Sequence, residues 1–101
     1  MEYNEIDLDM VRLAKIREVN KKTLGEVYEQ PKYGKPSDPV LEVVFDIDDG
    51  PVHGRNLRDY IRVSKHPKSN LQRFRRRYGD LPKPGMVVEV YPDPHYYKIL
   101  L

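Results

Sequence analysis

A small, mainly β barrel carrying one helix is predicted by three observations. Apolar and polar residues alternate from Val40 to Ile47, with Leu41, Val43, Phe45 and Ile47 on one face and Val40, Glu42, Val44 and Asp46 on the other. The same period returns in Leu57, Asp59, Ile61 and Val63, set against Arg58, Tyr60 and Arg62. A helical spacing then takes over at Leu71, Phe74 and Tyr78, with Ser69 as N-cap, Gln72 in the capping-box position and Gly79 where a left-handed C-cap is wanted. Strands from Met86 to Tyr91 and from Tyr96 to Leu101 complete the order strand, strand, strand, helix, strand, strand. That is the element order of an OB-fold, a five-stranded Greek-key barrel, with an SH3-like small barrel as the alternative.

The N-terminal elements are less sharply marked. Met1 to Asp9 is acidic and uncapped, an expected mobile or loosely docked lead-in. Between Val11 and Val19 the apolar residues change parity between Leu13 and Ile16, which suggests a bent or bulged first strand. A helix from Leu8 through Val19 competes with it. Asn20 to Lys22 reads as a turn, and Leu24 to Glu29 as a segment that extends the first strand or pairs with it. QPKYGKPSDP, with three prolines and a glycine, is a loop by composition. Asp48 to Gly54 reads as a turn that returns the third strand antiparallel to the second. The expected core is Leu41, Val43, Phe45, Ile47, Leu57, Ile61, Val63, Leu71, Phe74, Val88 and Val90.

At 101 residues the chain makes one domain, residues 1–101, because two cores of half that size would not be self-supporting without staples. Cysteine is absent, which excludes disulfides and thiolate metal sites. No N-terminal apolar run has signal-peptide length and no segment reaches the roughly 20 apolar residues that span a bilayer, so a cytoplasmic protein without a membrane partner is expected.

A net charge of +2 does not by itself call for a polyanion, but its distribution does. Nine basic residues between Val52 and Tyr78 face one acid, Asp59. On the third strand, Arg58 and Arg62 flank Tyr60 on one face, a combination suited to stacking a base while holding phosphate. Tyr28, Lys32, Tyr33 and Lys35 on or beside the long loop, and Tyr96 or Tyr97 from the last turn, extend that candidate surface. The competing explanation pairs the two arginines with Glu42 and Asp46 and leaves Tyr60 among cross-strand neighbours. Helix residues Arg73, Arg75, Arg76 and Arg77 either contact phosphate or solvate a helix that plugs the end of the barrel.

The stretches KYGKP, VLEVVFDIDDG, GRNLRDYIRVS, PKSNLQRF, PGMVVEV and YYKILL together resemble a group of small phage and archaeal OB-fold-like proteins. That resemblance, over residues 33–101, implies single-stranded DNA binding and a place in DNA replication or repair. The function expected is therefore non-catalytic binding of single-stranded nucleic acid, DNA ahead of RNA, with no cofactor and no resident metal. A protein-assembly module is the alternative, with YYKILL as an exposed edge or homo-oligomer interface. A metal-dependent nuclease is the minor one, built on Asp46, Asp48 and Asp49 near His53. No phosphate-binding loop, dinucleotide fingerprint or nucleophile elbow is present.

Overall fold

The computed structural model describes residues 10–29, 33–47, 57–93 and 96–101. Five strands, β1 (Arg12–Thr23), β2 (Pro39–Ile47), β3 (Arg58–Arg62), β4 (Val87–Pro92) and β5 (Tyr97–Ile99), form one antiparallel sheet in the order β3-β2-β1-β4-β5. The sheet curls until its edge strands β3 and β5 meet, giving a nearly closed OB-like barrel. A one-turn helix α1 (Leu24–Val27) follows β1, and α2 (Asn70–Tyr78) lies between β3 and β4, as the element order predicts.

The long first strand carries the bend expected of it, but elsewhere. Ala14 and Ile16 point into the core, and the β1–β2 register then shifts between Ile16 and Glu18. One extra residue at Arg17 switches the parity, so that Val19 also packs against the core. Leu13, expected to mark the change, is outward and 60% exposed. The predicted turn at Asn20 to Lys22 is instead paired strand, because Asn20, Lys21 and Lys22 face Glu42, Leu41 and Val40 in register. The strand reading also excludes the competing helix over the described residues 12–19, while the acidic lead-in lies outside the described residues.

Leu24 to Glu29 does not extend the strand. It turns into α1 because the Leu24 amide donates to Asp38 O at 2.8 Å and the Gly25 amide to Pro36 O at 2.9 Å, so the proline-rich loop takes the bonds a further strand would have used.

The barrel interior holds Ala14, Ile16, Val43, Phe45, Ile47, Ile61, Val88, Val90, Tyr97 and Ile99, with Leu71 and Phe74 of α2 plugging it. Leu41 and Leu57 are only partly buried against this core. Val63 is 39% exposed, a correction to the expected core: β3 stops at Arg62, so sheet alternation no longer aims the next side chain inward. Outside the main cluster, Val40, Val44 and Leu24 are also buried, so β2 is covered on both faces.

Helix α2 has the predicted ends. Ser69 Oγ accepts the Gln72 amide at 3.4 Å, and Gly79 closes the helix at φ 86° with its amide on Arg75 O. The reciprocal half of the capping box is replaced, since Gln72 Nε2 donates to Ser64 O at 3.1 Å, which ties the helix to the segment that leaves β3. At the other end Tyr78 Oη donates to Leu100 O at 2.6 Å and accepts the Glu89 amide at 3.2 Å, fastening α2 to β4 and to the chain after β5.

Candidate functional site

The β2–β3 register places Arg58 beside Val44, Tyr60 beside Glu42 and Arg62 beside Val40, so the three residues leave one face of β3 as alternation requires. Asn20 of β1 stands on the other side of Glu42, which makes a polar row Asn20, Glu42, Tyr60 across three strands.

Glu42 is 6% exposed, and a carboxylate so placed must be satisfied. It accepts from Asn20 Nδ2 at 3.0 Å, Arg58 Nη1 at 3.2 Å and Tyr60 Oη at 3.3 Å. The Asn20 hydrogen bond is the main influence holding its pKa below the usual value, against the burial that raises it, and Lys22, Arg58 and Tyr60 assist. The competing pairing of the arginines is thus realised for Arg58. Asp46 instead meets Arg17 at 3.3 Å, and Arg62 meets Asp38 at 3.4 Å. Gly34, at φ 85°, lies so close to this last pair that a Cβ there would collide with the Arg62 guanidinium and the Asp38 carboxylate.

Where β3 and β5 meet, a cleft of about 320 Å³ opens among Tyr28, Tyr60, Tyr96, Arg58, Arg62 and Lys98. The Tyr28 and Tyr60 rings are 6.4 Å apart and tilted by 59°, and the Lys98 ammonium stands 5.8 Å from the centre of the Tyr96 ring. A second cavity of about 260 Å³ adjoins it, with Ile61, Leu100 and Leu101 on its apolar side and Arg73 of α2 at its border. Asp59, Tyr60, Asn70 and Lys98 line both, so the two form one groove along the seam.

Asp59 sits on the apolar parity of β3 and accepts two backbone amides, Tyr60 N on Oδ1 at 2.8 Å and Ile99 N on Oδ2 at 3.0 Å. Burial pushes its pKa up, the two amides and Lys98 pull it down, and burial prevails. For Lys98, burial disfavours the ammonium, but Tyr96, Asp59, Tyr91 and Asp93 outweigh it and raise its pKa.

Of the residues proposed from sequence, Arg58, Tyr60, Arg62 and Tyr96 line the cleft and Arg73 borders its neighbour. Tyr33 is 77% exposed and Lys35 is exposed as well, and neither lines the cleft, while Lys32 lies outside the described residues. Arg77 is held by Glu89 at 2.7 Å and lies over the Tyr78 ring, while Arg76 is exposed on α2 away from both cavities. Tyr97 is a correction: strand alternation turns it inward with Ile99, leaving it 3% exposed in the core, where no base could stack on it.

Tyr28, grouped in the sequence with the basic-aromatic loop, does line the cleft, whereas sequence reasoning missed Asn70, Lys98 and Asp59. Lys98 was legible, since it shares parity with Tyr96. The position of Tyr28 depends on the α1 turn, which no local signal announced.

Among the described residues no three His, Asp or Glu side chains converge as metal ligands, and Asp48, Asp49 and His53 lie outside those residues. No helix among them is long and apolar enough to cross a membrane. No family model, curated protein or solved structure matches the chain.

Proposed function

We propose that this protein binds single-stranded nucleic acid without catalysis, along the groove at the β3–β5 seam. One observation carries the reading: three tyrosine rings and three cations, Arg58, Arg62 and Lys98, line a single cleft. Bases stacked on tyrosine contribute roughly 1–3 kcal/mol each, and the cations add a salt-dependent phosphate attraction. A duplex hides its base faces and gains only the second of these. Arg58 and Arg62 already hold Glu42 and Asp38, so phosphate would exchange with an internal carboxylate there. The Lys98 ammonium stands over the Tyr96 ring with Asp59 and Asp93 close enough to raise its pKa against its burial, and Arg73 lines the adjoining cavity. DNA is placed ahead of RNA on the resemblance alone.

The test is a salt-titrated binding series with single-stranded and duplex oligomers of mixed sequence. Single strands should bind more tightly than duplex, with an affinity that falls as salt rises. Equal binding of both, or of neither, sinks the proposal.

A protein-assembly role is favoured by a different surface. Leu13 is 60% and Val87 58% exposed, and the β1–β4 register puts both on the outer face of those two strands. Partner binding that persists in high salt, without affinity for oligonucleotides, would support that second reading.

A further inference from the structure

The geometry points to guanine as the base that the groove selects, read by Asp59 and Lys98 in the smaller cavity beside Tyr60. This inference rests on the groove being the nucleic-acid site.

The cations around the groove can only donate hydrogen bonds. Among the described residues the one carboxylate lining both cavities is Asp59. Each of its oxygens takes a single backbone amide, from Tyr60 and from Ile99, which fixes the plane of the carboxylate and leaves acceptor capacity on both. A fixed carboxylate with two free acceptor positions matches a ligand edge that offers two adjacent N–H donors.

Lys98, the strand residue immediately before Ile99, lines the same cavity, and its ammonium can only donate. The pairing edge of guanine offers N1–H and N2–H donors beside the O6 acceptor. Adenine reverses that pattern at both ring positions, cytosine has a single amino donor, and thymine has one N–H between two acceptors.

The remaining walls suit a flat ring. Leu100 and Leu101 supply apolar contact, and Tyr60 lines both this cavity and the tyrosine-lined cleft. Arg73 also lines this cavity and adds a cation to its wall.

The experiment uses the full chain and thymidine oligomers that carry one central dG, deoxyinosine or dA. Inosine keeps O6 and N1–H but lacks the N2 amino group. The dG oligomer should bind about five- to 150-fold more tightly than the dA oligomer, with deoxyinosine between them. Asp59→Asn, which turns one acceptor into a donor, should erase the gap between dG and deoxyinosine. Lys98→Met should narrow the gap between dG and dA.

Equal affinity of the wild-type protein for all three oligomers overturns the guanine assignment while leaving the groove standing, and this comparison needs no variant to fold. A dG preference that survives in folded Asp59→Asn removes Asp59 from the assignment. Failure to bind any of the oligomers overturns the single-strand reading itself.

Discussion

The Asp59 carboxylate accepts the backbone amide of Ile99 at 3.0 Å, joining β3 to β5 where the barrel would otherwise have an open seam. A side chain here does the work of a ladder hydrogen bond. Removing it as Asp59→Ala leaves the Ile99 and Tyr60 amides without this acceptor, and urea unfolding should show a loss of about 1–3 kcal/mol. An unchanged urea midpoint would mean that the seam is closed by packing alone.

The same group predicts a pH effect of unusual sign for a carboxylate. Its folded pKa is raised from the ordinary 3.8, chiefly by burial, so the folded state binds the proton more readily than the unfolded state. The resulting stability is fully present below the ordinary value and is lost as pH rises through the folded value. Asp59→Asn cannot titrate. Relative to wild type, it should therefore gain stability as pH rises from the ordinary carboxylate value through the folded value. Urea midpoints of the two proteins that run parallel across this range would contradict the buried environment.

Glu42 works in the opposite direction. Its folded pKa is lowered, chiefly by Asn20, so its contribution is present above the ordinary carboxylate value and is lost as pH falls through the folded value. Glu42→Ala also strips Asn20, Arg58 and Tyr60 of their shared acceptor. It should cost about 1–3 kcal/mol in urea unfolding at neutral pH, with a smaller difference in acid.

Phe45, on β2, is fully buried at the centre of the barrel. Truncation to Ala should cost about 3–5 kcal/mol, read from chemical unfolding. A melting temperature within about a degree or two of the parent would remove Phe45 from the core.

For binding, ring and charge should separate. Tyr60→Ala should weaken single-strand affinity by about 1–3 kcal/mol with nearly unchanged salt slope, while Tyr60→Phe, which loses only the hydroxyl on Glu42, should retain most of it. Arg58→Ala and Arg62→Ala should each lower the slope by less than one phosphate's worth, because Glu42 and Asp38 already engage those guanidinium groups. Arg73→Ala should weaken binding where Arg77→Ala, whose arginine is committed to Glu89, should not. The reverse order for the helix arginines would move the site from the groove to the outer face of α2.

By itself, the sequence determined those features of this protein that depend on local period and local caps. The alternation of Val40 to Ile47 settles which face of β2 reaches the core, because a pleated strand has only two faces. Ser69 and Gly79 set the ends of α2, because the orphaned groups of a helix are satisfied by residues within a turn. The same alternation put Arg58, Tyr60 and Arg62 on one face. Tertiary structure decided what those side chains meet. The bulge at Arg17 and the continuation of β1 through Lys22 follow from register with β2, residues 18–29 positions apart along the chain that no window of neighbouring residues contains. Whether Asp59 is solvated or closes a barrel depends on Ile99, 40 residues away, and Tyr96 and Lys98 reach the β3 cleft only because the sheet curls until its two edges meet. Pairing between sequence-distant strands is a property of the closed barrel, and it is what gathers the tyrosines and cations into one groove.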